Sequence, residues 1–117
     1  RLVLVGRTRN EINKGGIKIA PEEVDVVLER HPDILEVCAF GIEDPVLGEK
    51  VAAAVTLGRD GGDEPKAIDL LTWCSPLITD YKIPSVWYRV DSIPKTSTGK
   101  VDRRETDARC RQLQPIR

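Results

Sequence analysis

The sequence predicts an α+β domain, a small sheet flanked by helices and led by an N-terminal β-hairpin. Three observations predict it. Residues 11–19 alternate about Gly15-Gly16, with Ile12 before the glycines and Ile17 and Ile19 after them; this is the pattern of two short strands joined by a glycine turn. Pro21-Glu22-Glu23 then opens a segment in which Val24, Val27 and Leu28 follow helical spacing. Proline at the first helical position and acidic residues at the positive end of the helix dipole both favour a start there. Residues 36–42 and 50–57 both read as strands, and the step between them is short enough for antiparallel pairing.

In chain order, residues 2–5 are a short apolar run ending in Gly6, a strand or linker entering the body. The hairpin and the helix from Pro21 follow, and Pro32 ends that helix, because a proline disfavours helical backbone in the residue before it. After the strand at 36–42, residues 43–48 form a turn and residues 50–57 a second, largely apolar strand. Residues 58–65 are the most loop-like stretch of the chain. A helix is expected from Ala67 to about Ile78, with Ile68, Leu71 and Leu77 as its apolar residues and Pro76 as a break point. Residues 85–90 make a third strand, and a Pro/Thr/Ser/Gly loop leads to a polar terminal helix.

At 117 residues the chain is one domain's worth, with room for a modest single core. Eighteen basic residues against nineteen acidic ones give a net charge of -1, so no global field points to nucleic acid or to a membrane. Two Trp, two Tyr and one Phe are too few for a base-stacking platform. Cys38, Cys74 and Cys110 are widely spaced and form no C-x-x-C pattern; neither metal nor disulfide scaffolding is expected, and a reducing, cytoplasmic compartment is. His31 precedes Pro32 and reads as a surface or capping residue rather than a ligand. No apolar run is long enough to span a bilayer, and neither a signal peptide nor a peroxisomal tripeptide is seen. The chain opens Arg1-Leu2-Val3 without methionine and reads as a piece of something longer.

The chemistry concentrates in two stretches. Pro94-Lys95-Thr96-Ser97-Thr98-Gly99-Lys100-Val101-Asp102-Arg103-Arg104 sets a lysine at the end of a loop, where a helix can start, with two guanidinium groups behind it suited to phosphate or carboxylate. It is not a phosphate-binding P-loop. That motif needs glycine where Pro94 stands and Ser or Thr where Val101 stands; proline has no N–H to cradle a phosphate. The second stretch runs from Gly6-Arg7-Thr8-Arg9 through Lys14-Gly15-Gly16-Ile17-Lys18-Ile19-Ala20-Pro21 to Asp25.

Together with His31-Pro32-Asp33-Ile34 and the turn Phe40-Gly41-Ile42-Glu43-Asp44-Pro45-Val46-Leu47-Gly48-Glu49, these stretches strongly resemble one family over Gly6 to Arg104. The chain resembles the C-terminal domain of adenylate-forming enzymes: acyl- and aryl-CoA synthetases, nonribosomal peptide adenylation domains and firefly luciferase. Gly-Gly-x-Lys-Ile-x-Pro is the form more typical of the CoA ligases. The resemblance implies an enzyme that joins a carboxylic acid to ATP, giving an acyl-adenylate and pyrophosphate, and then transfers the acyl group to CoA with release of AMP. It implies that ATP and Mg are held mainly by a large N-terminal domain absent from this sequence. The small domain is then a mobile lid that rotates between the half-reactions, with residues 1–9 as linker and hinge and residues 10–117 as the lid. Alone, such a fragment is expected to be inactive.

Carried over onto this sequence, Lys100 matches the adenylation lysine and Arg9 the hinge position, where the family often has aspartate or lysine. Gly15 and Gly16 match the turn that lines the pantetheine tunnel, with Lys14 and Lys18 flanking it as candidate contacts to CoA phosphates or to the adenylate. Lys95 either positions the lysine loop or meets a phosphate, and Arg7 is a further phosphate candidate. Glu23 reads as helix-start chemistry. After Arg104 the family resumes with apolar residues, whereas Glu105-Thr106-Asp107 is polar. The partners implied are the enzyme's own N-terminal domain, the acid, ATP and CoA, with no nucleic acid and no membrane span. Two alternatives stand beside this reading: an adenylation domain that loads an acyl or peptidyl carrier protein, and a stand-alone binding module with no catalytic duty.

Overall fold

The structure, a computed structural model, describes residues 11–58 and 65–116. The apolar run at 2–5, the linker of residues 1–9 with Arg7 and Arg9, and positions 59–64 of the expected loop lie outside the described residues.

The hairpin forms as predicted. Strands β1 (Ile12–Lys14) and β2 (Ile17–Ile19) pair antiparallel, with Lys14 opposite Ile17. Gly15 and Gly16 both take positive φ, +58° and +88°, the two-residue turn whose twist matches that of the flanking strands. Helix α1 (Pro21–Leu28) follows, burying Pro21, Val24, Asp25 and Leu28. Val27, expected on the apolar stripe, is only half-buried, and Asp25 takes a buried place. The helix also stops earlier than Pro32 requires. The N–H groups of Glu29, Arg30 and His31 close it on the carbonyls of Asp25, Val27 and Leu28. His31 Nδ1 accepts the Asp33 N–H at 3.0 Å, and its ring lies 4.9 Å from that of Trp73, so its side chain holds the turn after the helix and caps none of the helix's own carbonyls.

The centre of the fold is a long antiparallel ribbon of β3 (Ile34–Asp44) and β4 (Gly48–Leu57), in register from Glu36 opposite Thr56 to Asp44 opposite Gly48, with a register shift between Ile34, opposite Leu57, and Glu36. Both strands run beyond the apolar stretches that announce them, and the turn shrinks to 45–47. Ladder bonds join backbone groups, so Glu43 opposite Glu49 extends the pairing without needing apolar side chains. The other edge of β4 is shared. Strand β1 meets it antiparallel at Gly48, and β5 (Val86–Arg89) runs parallel to Ala52–Val55. Among the described residues, the order β2-β1-β4-β3 leaves β3 on a free edge.

Side chains alternate across the ribbon. Val37, Ala39, Val51, Ala53, Val55 and Trp87 pack with Ile12, Ile19 and helix α1 on one face; Cys38, Phe40, Ala52 and Ala54 pack with Ile93 and Cys110 on the other. Helix α2 (Ala67–Cys74) covers the first face and α3 (Arg103–Cys110) the second.

Helix α2 departs from expectation. It ends at Cys74 rather than near Ile78, because Pro76 has no N–H with which to continue the ladder. The apolar residues that marked it in the sequence are turned outward, Ile68 61% and Leu71 42% exposed, with Leu77 just beyond the helix at 39%. The stripe that packs is Ala67, Leu70 and Cys74, widened by Trp73. Both stripes have helical spacing, and this one packs in the core with Trp87 of the sheet and with Ile83, which precedes β5. Trp87 is fully buried and Tyr88 stacks on Phe40, whereas Tyr81 is 38% exposed.

Candidate functional site

The lysine loop is a small closed structure of its own. Pro94 C=O accepts the Asp102 N–H at 2.8 Å, and Lys95 bridges to Val101. Within that base, Thr96 N–H donates to Lys100 C=O at 2.7 Å and Gly99 N–H to Thr96 C=O at 2.9 Å. Gly99 sits at φ +87°, a conformation that favours glycine. The Asp102 carboxylate then accepts the Glu105 N–H at 3.0 Å and caps α3. The backbone of Lys100 is therefore fixed from both sides. Its side chain is exposed, and among the described residues nothing pairs with its ammonium. A positioned, unpaired cation on a flexible stem is free to meet an anion brought by another body.

Lys95, four residues before Gly99, is already engaged. Its ammonium lies 2.6 Å from Glu36 Oε2 and 3.1 Å from the Ile93 carbonyl, tying the loop to the start of β3. Of its two expected duties, this contact serves the loop. Arg103 is likewise committed inside the fold, with Asp25 at 2.8 Å. Glu23, at the start of α1, pairs with Lys82.

The glycine turn is held at the other end of the ribbon. Gly15 N–H donates to Leu47 C=O at 2.7 Å, and Gly16 N–H donates to Asn13 Oδ1 at 3.2 Å. Asn13 N–H donates to Glu49 Oε1 at 2.8 Å, and the Lys14 ammonium donates to Tyr81 C=O at 2.9 Å. Lys18 is exposed on β2 opposite Asn13. Nothing lies within 4 Å of where a Gly16 side chain would begin.

The fold thus brings Lys14, Gly15, Gly16 and Lys18 together, and Lys95 with Lys100, but it separates the two groups. One is anchored at Glu36 and the other at Leu47, beside Asp44 and Gly48. Eight strand steps from Glu36 to Asp44 amount to roughly 26 Å. Two clefts of about 350 and 340 Å³ flank α3, and neither is lined by Lys100 or by the glycine turn. Both groups are exposed on the surface of the fold and line neither cleft. Among the described residues no set of three or more His, Cys, Asp or Glu side chains is placed to hold a metal ion, and no helix is long and apolar enough to cross a membrane.

Sequence reasoning missed Glu36 and Glu49 as organisers of these loops and Asp25 as a partner of the edge strand β3. Their contacts span 59, 36 and 14 residues respectively, so no local pattern announces them.

Residues 23–100 match the family described as the AMP-binding enzyme C-terminal domain. The chain is 43% identical over 103 residues to a probable CoA ligase of Humulus lupulus, covering 88% of this chain and 19% of that protein. It is 42% identical over 103 residues to the oxalate–CoA ligase of Saccharomyces cerevisiae, with the same coverage of each. The chain thus spans about a fifth of the length of the relatives it matches. Among solved structures it superimposes with a TM-score of 0.83 and 26% identity on o-succinylbenzoate CoA synthetase of Bacillus subtilis, solved with a product analogue, covering 97% of this chain and 22% of that one. The match over residues 23–100 and the shared fold agree: this chain belongs to the AMP-binding enzyme C-terminal domain family.

Proposed function

We propose that the chain works as the C-terminal catalytic lid of an AMP-forming acyl-CoA ligase, joined to a large N-terminal domain that binds ATP, Mg and most of the acid. Lys100 serves adenylation. After rotation of the lid, the Gly15-Gly16 turn serves thioester formation. The observation that carries this reading is that the two exposed loops are anchored at opposite ends of one continuous ribbon, so that a single rotation can exchange one for the other. The family and the CoA-ligase relatives supply the class of chemistry.

Adenylation must bring a carboxylate against an α-phosphate, and both are anions. A compact ammonium offsets that repulsion as charge redistributes in the transition state. At about 4 Å and an effective dielectric near 20, one unit charge contributes roughly 4 kcal/mol. The Lys100 ammonium is unpaired among the described residues, so no internal ion pair need break first. The closed loop that fixes its backbone limits the freedom lost on engagement. In the thioester step, paired glycines let a thin thiol-bearing arm pass close to the backbone. Lys18, exposed beside the turn, is placed to meet phosphate; Lys14 meanwhile holds the turn to Tyr81.

The test is acid-dependent ATP–pyrophosphate exchange by the full-length enzyme carrying Lys100→Ala. Loss of about 10²–10³-fold is expected, the scale of one preorganised transition-state donor. Exchange at the wild-type rate would make Lys100 a surface lysine.

A further inference from the structure

Glu49 lies on neither loop, yet it reaches the glycine turn. It follows Gly48 at the start of β4, pairs with Glu43 across the ladder, and sends its Oε1 2.8 Å to the Asn13 N–H. Asn13 in turn offers Oδ1 to Gly16 N–H. One carboxylate is therefore bonded to the strand that leads into the turn, and the next link in that chain is Gly16 itself.

The path of the Glu49 side chain depends on a second glycine. A Cβ at Gly41 would stand 2.7 Å from Glu49 Oε2, 3.2 Å from its Cδ and 3.3 Å from Ile12 Cγ1, so the tightest contact by far is with the carboxylate. Gly41 lies opposite Val51, diagonal to Glu49 on the same face of the ribbon. Its φ is not positive, so no backbone torsion demands glycine there. What the missing side chain provides is room for the Glu49 carboxylate. We propose that Glu49, seated over Gly41, is a positioning residue for the Gly15-Gly16 turn, and so for the thioester half-reaction alone. The proposal rests on the reading of that turn given above.

Two variants attack the device from different sides. Glu49→Ala removes the acceptor. Gly41→Ala leaves the carboxylate chemically intact and displaces it, a shift the far end of a flexible side chain can make without unfolding the ribbon, while Ile12 gives by a few tenths of an ångström. Glu49→Gln keeps an acceptor oxygen and is the rescue control. All three, with Gly16→Val beside them, are made in the full-length enzyme and checked for folding by thermal melting. Thioester formation from supplied acyl-adenylate should slow about 10- to 100-fold in Glu49→Ala and Gly41→Ala, the scale of a misplacement of about 1 Å. ATP–pyrophosphate exchange should stay within roughly twofold of wild type in both, and Glu49→Gln should retain most of the thioester rate. Amide hydrogen exchange of peptides covering residues 12–18, read by mass spectrometry, should accelerate in Glu49→Ala and Gly41→Ala but not in Glu49→Gln.

Equal loss of both half-reactions, or unchanged exchange at residues 12–18, would overturn the proposal. If Gly16→Val blocks thioester formation while Glu49→Ala and Gly41→Ala do not slow it, Glu49 positions nothing and the reading of the turn survives. If Gly16→Val itself leaves thioester formation intact, the reading of the turn fails, and with it the assignment of Glu49 to that half-reaction.

Discussion

Asp25 and Arg103 meet at 2.8 Å across the free edge of the sheet, one from α1 and the other from α3. Between them lies Ala39 of the edge strand β3. Asp25 Oδ1 accepts its N–H at 2.8 Å, and Arg103 Nη1 donates to its C=O at 2.9 Å. The ion pair therefore satisfies two backbone groups that an edge strand would otherwise offer to any passing chain, and it joins the helical layers on both faces. Burial pushes the Asp25 carboxyl above its ordinary value, and Arg103 and the Ala39 N–H pull it only part of the way back.

Because the pair is buried, removing one partner strands the other. Arg103→Met should cost about 3–5 kcal/mol in urea unfolding. Asp25→Asn, which keeps an acceptor for the Ala39 N–H, should cost less. The double variant Asp25→Leu/Arg103→Met should not recover wild-type stability, since both Ala39 groups lose their partners at roughly 1–3 kcal/mol each. Full recovery would show that the edge is satisfied in some other way.

A pH effect follows from His31. Burial holds its imidazole below the ordinary 6.5, opposed by the nearby Asp33 carboxylate, and Nδ1 must stay unprotonated to accept the Asp33 N–H. The folded state thus binds this proton less readily than the unfolded chain. The stability His31 contributes is complete above pH 6.5 and is lost as pH falls through the folded-state value. Stability measured from pH 7.5 to 5 should decline in the wild type, and His31→Gln should flatten that part of the decline.

Cys38, Cys74 and Cys110 are buried and free. Burial raises all three thiols, Cys74 and Cys110 to about 11. A thiol reagent at pH 7.5 should label none of them in the folded chain and all three in denaturant, because the thiolate is the reactive form. Rapid native labelling of any one would mean that its side of the core opens readily.

The sequence announces this fold where local chemistry decides it. Gly15-Gly16 between alternating isoleucines, Pro21 with two glutamates, and the short step between two apolar runs each specify an element without reference to the rest of the chain. It misleads at α2, where Ile68-Leu71 and Leu70-Cys74 both carry helical spacing and only the sheet beneath, with Trp87 at its centre, selects between them. The loop lysine was legible because a Gly-Lys step ahead of a capped helix is a local motif. Glu36, Glu49 and Asp25 were not, since each acts on a partner far away in sequence.

The central claim is that Lys100 and the glycine turn serve different half-reactions from opposite ends of one ribbon. The most direct measurement is a crossed comparison in the full-length enzyme, with Lys100→Ala and Gly16→Val each assayed for ATP–pyrophosphate exchange and for thioester formation from supplied acyl-adenylate. The account predicts that Lys100→Ala loses the first and keeps the second, while Gly16→Val keeps the first and loses the second. Parallel losses in both variants, or wild-type rates in both, would contradict it.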